Sequence, residues 1–310
     1  MVAVFWKELA DHFNSRRFII LLALVYLAGV SAVWTSAQGI RGAVTETTPF
    51  IFLKLFIVSG GTLPPFITFL TFLIPIVGII LGFDAVNSER ASGTLSKVLS
   101  QPVFRDAAIN GKFLAGLVTI AIMLTSMTLI AAGMGLRMLG IPPSGEEVLR
   151  LVVFLLLSIV YGAFWLGLAI LFSTFFKRMA TSLLASVGIW LFFAFFMFMI
   201  AGAVANMMVP IDQNSPKEIA WQHEQVAAMT MRASPTTLFG EAVAGLLAPE
   251  IKSLGPVLVE YEKYMIPGST LSFGQSLLMV WPHLVSIIAL TLVCFAISYV
   301  KFLREEIRST

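Results

Sequence analysis

The chain has 310 residues, of which 58% are hydrophobic and 12% charged, with a formal net charge of +3 and a mean hydropathy of +0.92. Ordinary soluble domains carry about 25% charged residues, so this composition excludes a disordered chain and argues against a soluble globular one. The basic residues lie at the edges of apolar runs, a membrane-topology pattern and not a nucleic-acid footprint. Cys294 is the single cysteine, so neither a disulfide within the chain nor a cysteine metal site can form.

Runs of roughly 20 apolar residues cross a hydrocarbon core about 30 Å thick. Six such runs occur, at about 18–36, 66–83, 113–136, 151–176, 183–206 and 277–300. The expected fold is all-α: one polytopic membrane domain of six transmembrane helices over residues 1–310. The opening MVAVFWKELADHFNSR sets Phe5, Trp6, Leu9 and Phe13 at three- and four-residue spacing against Lys7, Glu8, Asp11 and Asn14. That pattern predicts an amphipathic helix along the membrane surface, with Trp6 at headgroup depth. The apolar run after it exceeds the 7–15 residues of a secretory h-region and reads as a retained span. Residues 49–66 include a run too short to span, with Lys54 in its middle and Pro64-Pro65 after it. Two readings stay open for it: an interfacial or re-entrant piece, or a kinked extension of the second span.

Between the second and third spans lies FDAVNSERASGTLSKVLSQPVFRDAAINGKF, residues 83–113. Asp84 to Ala91 continues the second span as a helix. Ser92-Gly93-Thr94 breaks it, since glycine favours turns and Ser or Thr caps helices. Residues 94–100 form a short transverse helix with Leu95, Val98 and Leu99 on one face, stopped by Pro102. A polar helix from about Phe104 then leads into the third span, with Lys112 at the membrane edge.

Residues 207–276 form the largest non-spanning segment and predict a small helical cap. Ser215-Pro216 and Ser234-Pro235 each supply a capping serine and a first-turn proline, and Pro249, Pro256 and Pro267-Gly268 break the remainder of the segment. His223 near Met207, Met208, Met229 and Met231 has the donor types of a copper site, although methionine is also a common gap-filler. Arg137 and Arg150 are expected to anchor a turn to headgroups, and His283 to bond backbone or water.

The positive-inside rule sets orientation. With a cytoplasmic N-terminus, the inner segments hold Lys7, Arg16, Arg17, Arg90, Lys97, Arg105, Lys112, Lys177, Arg178, Lys301, Arg304 and Arg308, and the short outer loops only Arg41, Lys54, Arg137 and Arg150. Both termini are therefore expected in the cytoplasm, with 84–112 cytoplasmic and 207–276 extracytoplasmic. The spans contain no Asp, Glu, Lys or Arg, which argues against a proton-coupled carrier. No G-x-x-x-x-G-K-[ST] motif occurs. Energy for uphill transport must then enter from another chain, and the segment 84–112 is the place where a groove-seated helix would receive it.

The run ERASGTLSKVLSQPVFRD at 89–106, followed by Lys112, resembles the ABC-2-type permeases, the membrane subunits of bacterial and archaeal ABC exporters. FWKEL at 5–9, Ser234-Pro235-Thr236 and the layout of spans are similar too. Among them the chain is most like the nitrous-oxide-reductase-maturation and gliding-motility permeases. The resemblance implies a permease without its own nucleotide site, in the cell membrane, paired with a second permease copy. It implies two ATPase subunits that bind the ATP and Mg, with no cofactor in this chain and no nucleic acid. It makes Glu89, Gly93, Thr94 and Leu95 the ATPase-coupling residues, with Leu99, Pro102 and Arg105 in support, and Phe5, Trp6, Leu9 and Phe13 the connecting helix. The alternatives are an ATPase-independent channel or secondary carrier, and a membrane scaffold for assembling an extracytoplasmic enzyme.

Overall fold

The computed structural model describes residues 1–41, 50–59, 63–93, 105–212, 215–254 and 270–304. Among these, every regular element is helical. In chain order they are α1 (Val2–Asn14), α2 (Arg16–Arg41), α3 (Ile51–Ile57), α4 (Phe66–Gly82), α5 (Asn87–Ala91), α6 (Arg105–Leu139) and α7 (Gly145–Phe175). Then come α8 (Met179–Leu191), a π-turn (Phe192–Phe196), α9 (Met197–Met208), α10 (Lys217–Met231), α11 (Pro235–Leu247) and α12 (Phe273–Leu303). Six segments are long and apolar enough to cross a membrane: α2, α4 with α5, α6, α7, α8 with α9, and α12. The helices overrun the apolar runs at their ends. Residues such as Lys112 and Arg150 are therefore helical although the hydropathy pattern ends before them.

α7 is the central helix, and its face from Phe154 to Ile170 is almost continuously buried. α4 lies close against it. A methyl group at Gly78 would come within 2.9 Å of Leu166 N, and one at Gly82 within 2.8 Å of Leu166 O. Small residues let two membrane helices approach to backbone contact. Pro75 inside α4 has no N–H to give to the carbonyl of Thr71. The Tyr161 hydroxyl of α7 lies 3.3 Å from that oxygen and donates to it. The same hydroxyl is 3.2 Å from Thr236 of α11, and the Tyr161 ring stacks on Phe239 at 4.2 Å. α8 and α9 bury few residues against the rest of the chain, and Leu184, Phe198 and Met199 are among their exposed side chains.

α1 and the last turn of α12 share one end of the bundle, the near end, and α3, α10 and α11 the other, the far end. At the far end one buried arginine joins several elements. Arg150 is 0% exposed. Its Nη1 donates to Leu246 O at 2.7 Å and Ser276 Oγ at 2.9 Å, and its Nη2 to Leu271 O at 2.7 Å and Glu146 at 2.8 Å. Its guanidinium also lies over the Phe50 ring. The expected headgroup anchor is thus a structural clamp. A planar fork of five donors suits convergent carbonyls better than a lipid contact when it is fully enclosed. Glu147, three residues earlier, closes a capping box with Ser144 and accepts from Phe52 N at 3.0 Å, so one carboxylate caps both α7 and α3.

Residues 51–57 form a separate buried helix, and Pro65 caps α4 instead of kinking it, so this stretch is not a kinked extension of the second span. Ser234 caps α11 as the Ser-Pro pattern predicts. At α10 the cap is Pro216 itself, while the Ser215 hydroxyl accepts from Asp212 N at 2.7 Å. His283 meets a carboxylate where backbone or water is expected: its Nε2 is 2.7 Å from Glu241, which also takes Arg232 at 2.8 Å. Burial raises the Glu241 carboxyl, but His283 and Arg232 outweigh it and hold it below the ordinary value. His223 Nδ1 pairs with Val209 O at 2.8 Å. Among the described residues no cluster of three His, Cys, Asp or Glu could hold a metal.

Candidate functional site

The near end is built on a crossing of α1 over the start of α6. A methyl group at Gly111 would meet Val4 Cγ1 at 3.0 Å and Phe5 N at 3.3 Å, so glycine permits the contact. The contact turns Glu8 inward, although it belongs to the polar side of the amphipathic pattern; it is buried. Lys112 follows Gly111 and points at it. Its Nζ lies 2.8 Å from Glu8 Oε1 and 2.8 Å from Glu89 Oε1. One ammonium thus joins α1, α5 and α6.

Lys112 is 6% exposed, and a buried charge persists only when paired and hydrogen-bonded. Lys7 widens the network, with Nζ at 3.1 Å from Glu8, 3.5 Å from Asp11 and 3.9 Å from Glu89. Burial alone raises the Glu8 carboxyl, but Lys112 and then Lys7 pull it below the ordinary value. Burial lowers Lys7, yet Glu8, Glu89 and Asp11 together raise it. Burial, followed by smaller opposed effects from Glu8 and Lys112, lowers the His12 imidazole. These groups line a cavity of about 220 Å³ between α1, the end of α4, α5 and α6.

α5 is tied to the central helix as well. Its N-terminus has no side-chain cap of its own. Ser173 of α7 supplies one: its hydroxyl accepts from Val86 N at 2.9 Å and Asn87 N at 3.3 Å, and donates to Asn87 Oδ1 at 2.6 Å. Beside it, Arg17 at the start of α2 pairs with Asp84 at 3.1 Å and lies over the Phe83 ring. The turn after α4 is therefore held by α2, α6 and α7 together.

The residues singled out in the sequence fall into four groups. Glu89 is engaged within the chain, through Lys112 and Lys7. Gly93 follows α5 with a φ of 67°, where the break is expected, and among the described residues nothing lies within 4 Å of where its Cβ would sit. Thr94, Leu95, Leu99 and Pro102 lie outside the described residues, as does the side chain of Arg105, which begins α6. In α1, Phe5 and Leu9 are half-buried while Trp6 and Phe13 are exposed, and Phe13 meets Phe18 edge-on at 5.5 Å. Sequence reasoning missed Glu8, Asn87 and Ser173 as members of this site. The only local signal was an acid on the helix face that meets Gly111.

The ABC-2 family transporter protein family matches residues 2–307 of the chain. The chain is 26% identical over 219 residues to the probable ABC transporter permease protein NosY of Pseudomonas aeruginosa, a match covering 69% of this chain and 74% of that protein. It is 25% identical over 191 residues to the probable ABC transporter permease protein NosY of Stutzerimonas stutzeri, covering 60% of this chain and 64% of that one.

Proposed function

The chain belongs to the ABC-2 transporter family, and from that premise we propose that this membrane permease subunit couples ATP hydrolysis on separate ATPase subunits to export. The ATPases bind the ATP and Mg, and two of them act on a pair of permease chains. The membrane is the cytoplasmic membrane, with both termini and the near end on the cytoplasmic side.

The observation that carries this reading is the double contact of Lys112 with Glu8 and Glu89. In the proposed cycle the segment that opens at Gly93 and includes Thr94, Leu95, Leu99 and Pro102 seats on the ATPase. Leu95 and Leu99 fill an apolar groove there, and Glu89 anchors the seated segment to the permease. Displacement of that segment then moves α6 through Lys112, α1 through Glu8, and α7 through the Ser173–Asn87 bond. A push at one loop therefore reaches four elements as a unit, and the transport path opens between the two permease copies.

The test is reconstitution with the partner ATPase. Lys112→Met is expected to keep ATPase binding and to lose most substrate-stimulated turnover, while Glu89→Ala with Leu95→Ala loses binding as well. Unchanged binding and turnover in both variants rules the coupling assignment out. Transport by the permease with no ATPase present supports a channel or carrier instead.

A further inference from the structure

A groove of about 470 Å³ runs between α4 and α8 at the near end, beside Arg17. Its walls are apolar stripes. Ile76, Ile79 and Phe83 recur at three- and four-residue spacing on α4, and Met179, Leu183 and Trp190 line α8. From Met179 to Trp190 the helix rises about 16 Å, close to half of a hydrocarbon core about 30 Å thick. The groove has the depth of one leaflet, and it lies on helices long and apolar enough to cross a membrane.

Its mouth is cationic. Arg17 lines it directly, and its guanidinium has five N–H donors. Among the described residues one of these goes to Asp84, which also limits the local positive charge. Arg178 immediately precedes Met179 as the N-cap of α8, with Lys177 before it, and Arg16 precedes Arg17. Arg16, Lys177 and Arg178 are exposed and make no ion pair among the described residues. Arg17 thus lines the groove, and Arg16, Lys177 and Arg178 stand one or two residues from its lining positions Arg17 and Met179. Basic pockets between membrane helices at the leaflet surface suit anionic headgroups.

We propose that this groove is a binding site for one anionic phospholipid of the near-end leaflet. One acyl chain lies along Ile79, Leu183 and Trp190, and the phosphate is held by Arg17 and Arg178. The lipid then braces α8 against α4, a pair that otherwise meets across an open apolar slot. The site requires only that these spans be embedded, and stands apart from the coupling role of Lys112.

The full chain is incorporated into bilayers containing brominated phosphatidylglycerol or brominated phosphatidylcholine. Fluorescence quenching in the wild type minus that in Trp190→Phe isolates the groove tryptophan. Quenching is expected at a phosphatidylglycerol content at least about fivefold lower than for phosphatidylcholine, since each cation near the surface is worth about that factor. Arg178→Gln should reduce the ratio and Arg17→Gln with Arg178→Gln should bring it close to one, while excess inorganic phosphate should leave it unchanged. Equal quenching by the two lipids overturns the proposal. Loss of the preference in free phosphate also overturns it, by showing a phosphate site without a lipid chain. A Trp190 reached by neither lipid, with Met179→Cys cross-linking chain to chain, overturns it in favour of a second copy as the occupant.

Discussion

Arg150 at the far end and Lys112 at the near end are both buried cations on long helices, but their surroundings differ. Arg150 sends a rigid planar fork to two carbonyls, a hydroxyl and a carboxylate drawn from α7, the end of α11, the approach to α12 and α12 itself. Each bond needs the others in place, so the arrangement has one geometry. Lys112 places a compact ammonium between two carboxylates on two separate short helices, α1 and α5. A point charge on a flexible stem tolerates rotation about its partners. The far end therefore holds neutral and charged acceptors in a fixed clamp. The near end sets its carboxylates against a cavity of about 220 Å³, and under the proposed coupling it is the joint.

The contrast is tested most sharply at Arg150. Arg150→Met should destabilise the protein by about 3–5 kcal/mol, the usual cost of breaking a buried charged network, read as a lower thermal midpoint in detergent. Arg150→Lys should fail to restore it, because an ammonium cannot reproduce the fork. Lys112→Met should cost less, about 1–3 kcal/mol, because the carboxylates it leaves behind border the cavity. Adding Glu8→Gln and Glu89→Gln should recover much of that loss without recovering coupled turnover. If Lys112→Met unfolds the chain as thoroughly as Arg150→Met, the distinction between clamp and joint fails.

Acid should act on the joint. The folded-state pKa of Glu8 is below the ordinary 4.5, so its contribution is fully present above about that pH. It is lost as pH falls through the lower folded value. His12, lowered by burial, works in the same direction: stability falls as pH drops through 6.5, the ordinary imidazole value, because the unfolded chain binds the proton more readily. Denaturation across this range should show a steeper acid decline in the wild type than in Lys112→Met, which removes the cation that holds Glu8 down. Gly93→Ala should have the smallest effect, about 1 kcal/mol or less. Among the described residues no atom lies within 4 Å of where a Cβ would sit, so the expected loss comes from the positive φ.

Much of the architecture was legible in the sequence. The six spans follow from run length, and the Ser234 cap, the break at Gly93 and the N-terminal helix from local pattern. The cap of α10 was misplaced by one residue, since the same Ser-Pro pair fits two registers. Arg150 was misread because hydropathy marks it as the edge of an apolar run and has no information on the groups that enclose that edge. The central features of the near end were also hidden. Glu8 and Lys112 are 104 residues apart, and Asn87 and Ser173 are 86 apart.

The sequence by itself determined much of what a single helix carries: its apolar core and faces, the cap at Ser234, and membership in a membrane family. Only the tertiary structure decided which polar residues meet. Apolar burial is non-directional and leaves many rotations of a helix nearly equal in energy. A charge-assisted hydrogen bond works over about 2.7–2.9 Å, so it forms only when the helices turn both partners toward each other. The crossing of α1 over Gly111 and the approach of α4 to α7 fix those rotations, and with them the bond that makes Lys112 a joint.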